Sequence, residues 1–271
     1  MFYVFNLRKF LKIACVYVVL GLVLNTGFNY FLSSNTKSVM ADKKVYIAIV
    51  IDDFGYSGEG TEDMINLPIA FTGAVMPFSE NSKDNAEKLI SAGKETIVHM
   101  PMESLTGKKS WVGDRGIFLN MKDEYIRKNV NDAFDIVVGA KGLNNHMGSA
   151  IMEDKRTLSA VLDTVEEKGL YFLDSVTTPN SKAEEICKDK NITIFKRDVF
   201  LDSTDDENKV KENLLKAEKV ANEKGYAIAI GHVGPDGGNV TVNAIKNLYS
   251  EMESRGVEFV TLSQLEKVIK N

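Results

Sequence analysis

Short apolar runs alternate with longer amphipathic segments from residue 45 to the C-terminus. The run Val45-Tyr-Ile-Ala-Ile-Val-Ile51 is continuously apolar and rich in β-branched side chains. Such a run predicts a strand buried on both faces, as in a parallel sheet. The same reading places strands over 69–76, 95–100, 170–174, 192–195, 226–230 and 257–260, with a weaker one over 142–146. Helices are predicted between them over 81–92, 122–138, 154–168, 207–224 and 242–255, with Asp154 as an N-cap. Each is followed closely by a glycine (Gly93, Gly139, Gly169, Gly225 or Gly256) suited to the left-handed conformation that ends a helix.

Strand-helix alternation implies a parallel sheet or barrel with helices outside. Eight candidate strands with no linker between them favour one (β/α) barrel of seven or eight mostly parallel strands over two domains. Residues 104–121, with Gly107, Gly113 and Gly116, read as an excursion beside a site.

The first 41 residues have another pattern. They carry Arg8, Lys9, Lys12 and Lys37 and no acid, and residues 13–36 are uncharged. A basic start before an apolar run is a secretory signal or an N-terminal anchor, and that charge order predicts export of the chain downstream of it. The expectation is a signal peptide or anchor over 1–41, with 13–32 as its membrane segment, and an extracytoplasmic domain over 42–271. Val39-Met-Ala41 resembles a small-residue cleavage site. Membrane contact is expected through this segment alone.

Composition narrows the classes further. With 44% hydrophobic and 26% charged residues, a disordered or low-complexity chain is excluded. The net charge of −5 and the lack of a basic block in the second half argue against a nucleic-acid partner. The two cysteines, Cys15 and Cys187, cannot build a disulfide framework.

Ligands in parallel α/β folds bind at the carboxyl ends of the strands, so the residues just after each strand carry the chemistry. The first strand leads into Asp52-Asp53, and the third contains His99 and runs on to Glu103. The fourth leads into Asn144-Asn145-His146 and the fifth into Asp174. The sixth leads into Arg197-Asp198, with Asp202 further on, and the seventh ends at His232. All three histidines of the chain therefore fall at predicted strand ends.

Zinc takes imidazole nitrogen and carboxylate oxygen and leaves one position open for water. Asp53, His99 and His146 could supply three ligands, with Glu103, four residues after His99, as the competing third. The other carboxylate of the pair, Asp52, could take a proton from water, and His232 could act as a general acid. Asp52-Asp53 could instead cap a helix. Arg197 with Asp198 could be a simple ion pair, or Arg197 could hold Asp52. Asp174 could orient a catalytic side chain or start a turn. Trp111 and Tyr56 are candidate sugar platforms.

Six segments in order carry a family resemblance: Ile51-Asp-Asp-Phe-Gly55, Pro77-Phe78-Ser79 with Asn81-Ser82, His99-Met-Pro-Met-Glu103, Asn144-Asn-His-Met-Gly-Ser149, Phe172-Leu-Asp-Ser175 and Gly231-His232. Together they resemble the divergent polysaccharide deacetylase family, from about Val45 to the C-terminus. The resemblance implies a deformed (β/α) barrel related to the metal-dependent polysaccharide deacetylases. It implies Asp52 as general base, Asp53 and His99 as ligands of one divalent metal ion, zinc by preference, and His232 as general acid. Better-known relatives have a second histidine where Glu103 stands and an Arg-x-Pro-x-Gly motif absent here, so the third ligand is assigned to His146. Glu103, Asn145, Asp174, Arg197 and Asp198 are left as supporting or substrate-binding residues.

The expected activity is removal of acetyl groups from an extracytoplasmic or cell-wall glycan, which would be the partner. The competing expectation is a non-catalytic glycan-binding or envelope-assembly protein on the same scaffold. An acidic pair after a first strand also suits Mg²⁺ in a receiver or phosphatase domain. That reading leaves three histidines without a role.

Overall fold

The first strand organises the molecule, because three others pair with it. A computed structural model describes residues 44–234 and 238–270. The basic and apolar N-terminal segment lies outside the described residues, and with it the expected anchor over 13–32 and cleavage site at 39–41. Among the described residues, no helix is long and apolar enough to cross a membrane.

Strand β1 (Val45–Phe54) pairs in parallel with β2 (Thr72–Val75) through its upper half, from Val50 to Phe54. Its lower half, Val45 to Ala48, pairs with the last strand. Its other edge pairs with β8 (Tyr226–His232), from Tyr46 to Asp52. Then β3 (Glu95–Met102), β4 (Gly142–Met147), β5 (Tyr171–Asp174) and β6 (Ile194–Lys196) continue outward from β2. Strand β7 (Val199–Phe200) flanks β8, and β9 (Val257–Val260) lies below β2 on the same edge of β1. Every named pair is parallel. The sheet order runs β6-β5-β4-β3-β2-β1-β8-β7. Its two edge strands are neighbours in the chain, and the barrel stays open between them. This is the expected deformed (β/α) barrel, with one more short strand than expected: β7, two residues long, gives no periodic signal.

Ten helices lie among the described residues: α1 (Thr61–Ile65), α2 (Ser82–Ser91), α3 (Lys109–Val112), α4 (Asp123–Ile136), α5 (Ser149–Glu153), α6 (Lys155–Glu167), α7 (Ala183–Asp189), α8 (Glu207–Lys224), α9 (Gly238–Ser254) and α10 (Leu262–Lys270). Asp154 caps α6 as expected, accepting from the Thr157 amide at 2.8 Å. All five predicted glycine stops adopt positive φ. Helix α9 starts four residues before its predicted Val242; the C-terminal α10 was not predicted, and neither were the short α1, α3, α5 and α7. An amphipathic period needs more turns than these have to declare itself.

Strand parity divides the core in two. Ile47, Ile49 and Ile51 of β1 face the surrounding helices, in the larger apolar cluster. Ala48 and Val50 face inward, with Ala74, Ile97, Leu173, Phe195, Ile228 and Ile230 from the other strands. Leu262 and Leu265 of α10 join this inner cluster and close the barrel at the amino ends of the strands. Its carboxyl end is where the inward positions turn polar.

Candidate metal centre and acid–base pair

The inward register explains why distant residues meet. Along β1 it runs Ala48, Val50, Asp52, along β3 Ile97, His99, along β4 Asn144, His146, and along β8 Ile228, Ile230, His232. Strands β1, β3 and β8 are apolar below and polar at the carboxyl end, and β4 is polar at both of these inward positions. Asp52 is the register partner of His232, and His99 of Asn144.

Asp53 breaks this alternation. A regular strand would point it outward, beside Ile51. Instead it adopts φ 67, and the β1–β2 register shifts between Ile51 and Phe54. Bulges of this kind re-aim a side chain. The left-handed conformation costs on the order of 1–3 kcal/mol in a non-glycine residue, less for Asp than for most. The result is that Asp53 Oδ1 lies 3.3 Å from His99 Nε2 and 3.2 Å from His146 Nδ1. The two imidazole nitrogens are 3.2 Å apart. Asp53 Oδ1 is buried and has no hydrogen-bond partner of acceptable geometry, despite the two nearby rings.

A buried, unpartnered carboxylate oxygen between two imidazole nitrogens is a donor set without its acceptor. Tetrahedral zinc with bonds of about 2.0–2.1 Å separates its ligand atoms by about 3.3–3.4 Å. The three observed separations, 3.2, 3.2 and 3.3 Å, fit that spacing. Asp53, His99 and His146 form the one group of potential metal-binding side chains found among the described residues. Burial alone would raise the Asp53 pKa, but the hydrogen-bonding reach and charge of His146 and His99 outweigh it and hold it far below the usual carboxylate range.

Asp52 stands beside this group, with Oδ2 3.6 Å from His99 Nε2. Asn144 Nδ2 donates to its Oδ1 at 2.9 Å. Burial raises its pKa, and His99, His232 and the Asn144 bond offset that in part. Asn144 Oδ1 in turn accepts from His99 Nδ1 at 2.7 Å.

On the neighbouring strand, His232 Nδ1 donates to Asp202 Oδ1 at 2.8 Å. Asp202 Oδ2 accepts from the His232 amide and from Thr241 Oγ1, both at 2.6 Å. Gly231 makes room for this pair: a Cβ there would lie 2.9 Å from Thr241 Cγ2 and 3.2 Å from Asp202 Oδ2. Burial pulls the His232 pKa down. The bond to Asp202, the Asp202 charge and the charges of Asp52 and Asp53 win and raise it to about 9. The imidazolium form therefore prevails at neutral pH, with Nε2 as the nitrogen left for a substrate.

Several expectations are corrected. Glu103 does not join the metal-binding group. Its Oε2 accepts from the Leu119 amide and its Oε1 pairs with Lys109, each at 2.9 Å. Glu103 thereby tethers the 104–121 excursion, and these contacts hold its pKa below the usual range despite partial burial. Asp198 lies apart from the site, bound to Lys224 Nζ and to the Ile228 amide. Arg197 makes neither the ion pair with Asp198 nor a bond to Asp52. It donates to the Ser175 and Val176 carbonyls at 2.8 and 3.0 Å and covers the Phe200 ring, linking the loop after β5 to β7. Phe200 packs in turn on His232, with ring centroids 5.0 Å apart.

Asn145 binds the Ser175 amide, the Met147 carbonyl and Thr177, so it ties β4 to the loop after β5. Asp174 accepts from the Val176 amide at 2.8 Å, the turn-starting alternative. Sequence reasoning assigned no role to Asn144 or Asp202. The parity of β4 with His99 could have flagged Asn144. Asp202 stands after the sixth predicted strand, but nothing local pairs it with His232, because it follows the unpredicted β7. The candidate sugar platforms Tyr56 and Trp111 line one groove of about 520 Å³, together with Phe78, Pro101 and Arg115. Trp111 is 57% exposed, and the Arg115 guanidinium lies 4.0 Å above the Phe78 ring.

This geometry defines a (β/α) barrel with a carboxylate–imidazole site at the carboxyl ends of its strands. Residues 49–266 match the model of the divergent polysaccharide deacetylases, and the chain belongs to that family. An uncharacterized protein of Haemophilus influenzae is 31% identical over 253 residues, covering 93% of this chain and 85% of that one. Among solved structures, an uncharacterized protein of Agrobacterium tumefaciens C58 superposes with a TM-score of 0.75 at 21% identity, covering 82% of this chain and 89% of that one. A peptidoglycan N-acetylglucosamine deacetylase superposes with a TM-score of 0.55 at 13% identity, covering 82% and 87%. At such identities the likeness is one of fold.

Proposed function

We propose that the protein is a metal-dependent hydrolase that removes acetyl groups from an extracytoplasmic or cell-wall polysaccharide. The observation that carries this reading is the unpartnered Asp53 Oδ1 between His99 and His146, with Asp52 beside it and the Asp202–His232 pair on the neighbouring strand, His232 in register with Asp52. Asp53, His99 and His146 would hold the metal, and their donor set favours zinc. When bound, the ion supplies Lewis-acid polarisation of the acetyl carbonyl and a more acidic water.

The side chains do the rest. Asp52, ionised and aimed by Asn144, takes the proton of the attacking water. His232 gives the proton on Nε2 to the leaving amine or alkoxide as the acyl C–N or C–O bond breaks, and acetate remains. Asp202 holds the His232 ring and stabilises its charge. The groove beside Trp111 and Tyr56 supports a glycan as substrate, because aromatic faces match the C–H faces of pyranose rings and polar rims match their hydroxyls. The basic and apolar segment over 1–41 supports an extracytoplasmic site, secreted or anchored through residues 13–32.

The test is metal content together with deacetylation of acetylated glycans. The expected result is about one equivalent of zinc in the purified chain. Asp52→Asn should keep that zinc and lose activity by about 10²–10⁴-fold, the usual worth of a general base. Absence of metal after zinc addition would sink the hydrolase reading and leave glycan binding without catalysis. Full hydrolysis by Asp52→Asn would remove Asp52 from its role.

A further inference from the structure

Asn144 is wholly buried, on the inward face of β4, directly across from His99. Three of the four hydrogen-bonding directions of its amide are used, both donors among them. Oδ1 accepts from His99 Nδ1 at 2.7 Å, and Nδ2 donates to Asp52 Oδ1 at 2.9 Å and to Ser175 Oγ at 3.3 Å. The Ser175 hydroxyl spends its own proton on the Asn145 carbonyl at 3.1 Å, so it has a lone pair for Asn144.

These contacts allow one orientation of the amide. The Ser175 hydroxyl, its proton given to the Asn145 carbonyl, can only accept here, so the NH₂ end of Asn144 must face Ser175 and, with it, Asp52. The oxygen end must then face His99. A carbonyl oxygen accepts and cannot donate, so His99 Nδ1 must carry a proton. That leaves Nε2 as the nitrogen that can offer a lone pair, and Nε2 is the atom facing Asp53 and His146.

We propose that Asn144 is a positioning residue that sets two groups at once: it keeps the His99 proton on Nδ1, leaving Nε2 to the metal, and aims the Asp52 carboxylate with its other end. The proposal rests on the metal-centre reading above. Partners of this kind behind a ligating histidine fix its tautomer and ring orientation. Here the same amide couples the metal ligand to the proton acceptor, so neither can turn without the other.

Two substitutions separate the halves. Asn144→Asp keeps an acceptor toward His99 and replaces the donor toward Asp52 with a second carboxylate. Asn144→Leu keeps the branched side-chain skeleton, with more bulk, and removes both. The readouts are zinc affinity, by competition with a chelator, and the His99 Nδ1–H signal in the ¹⁵N spectrum of the full chain. Asn144→Asp should keep the protected Nδ1–H signal and bind zinc at least as tightly as the unsubstituted protein, while hydrolysis falls more than about tenfold with KM unchanged. Asn144→Leu should lose the protected signal and bind zinc about 10- to 100-fold more weakly.

If Asn144→Leu keeps both signal and affinity, the proposal is overturned. Equal losses in both variants would also overturn it, leaving Asn144 a packing residue. Should Asn144→Leu fail to fold, Asn144→Asp decides alone, since loss of the Nδ1–H signal there contradicts an acceptor role. An unsubstituted protein that takes up no zinc would sink the metal-centre reading instead. The Nδ1–H signal of metal-free protein would still decide whether Asn144 accepts from His99 Nδ1.

Discussion

Replacing Asp202 with Asn removes a charge and leaves the shape nearly unchanged, so it isolates what that carboxylate does for His232. The folded protein raises the His232 pKa from 6.5 to about 9. At about 1.4 kcal/mol per unit, that shift favours the imidazolium by about 3 kcal/mol. Burial works against the shift, and Asp202 supplies the two largest contributions that raise it, through its hydrogen bond and its charge. Without that charge, burial opposes the more distant Asp52 and Asp53 alone, and the pKa falls back toward or below the ordinary value.

The sign of the stability effect comes from proton binding. A group whose folded pKa is raised contributes fully below its unfolded pKa. That contribution is lost as pH rises through the folded pKa. His232 should therefore stabilise the metal-free protein by about 3 kcal/mol at pH 6 and lose that contribution between pH 6.5 and 9. Its side chain is 15% exposed, so solvent screening takes little from the figure. Urea unfolding of metal-free protein at intervals from pH 6 to 9.5 reads this directly. Asp202→Asn should flatten the slope over that window. In active protein the same substitution should move the alkaline limb of kcat/KM to lower pH by at least about one unit, because the leaving group needs a protonated His232. Matching pH slopes and matching alkaline limbs in the two proteins would refute the coupling of Asp202 to His232.

Three further outcomes are expected. The double variant His99→Ala/His146→Ala should drop zinc from about one equivalent to none by elemental analysis, because one carboxylate cannot hold the ion alone. Glu103→Gln should leave zinc content unchanged, cost roughly 1–2 kcal/mol in unfolding measurements, and speed protease cleavage within 104–121. Equal loss of zinc would instead place Glu103 among the ligands. Trp111→Ala should raise KM for an acetylated oligosaccharide several-fold and leave hydrolysis of a small aryl acetate unchanged, and an equal effect on both would remove Trp111 from glycan binding.

Much of the architecture was legible because its signals are local. The apolar run of β1, the glycines that close α2, α4, α6, α8 and α9, and the Asp154 cap each act within a few residues. Elements too short for a period, such as β7 and α3, stayed silent. The candidate site was legible to the same depth. Asp52, Asp53, His99, His146 and His232 stand at strand ends, and parallel strands bring their carboxyl ends to one side of the molecule.

The sequence by itself determined which residue types arrive at that end, because strand alternation and strand direction are properties of each segment alone. Tertiary structure decided which of them meet. Regular alternation points Asp53 away, and the register shift against β2 turns it inward. Spacing left Glu103 as a competitor to His146 for the third ligand position. The 109–119 segment folding back on Glu103 takes its oxygens, while the β3–β4 register brings His146 to His99. Asn144 and Asp202 gained their places in the same way, from partners 45 and 30 residues distant in the chain. Hydrogen bonds and charges act through space over a few ångströms, and that proximity is set by the pairing of strands, which no single segment encodes.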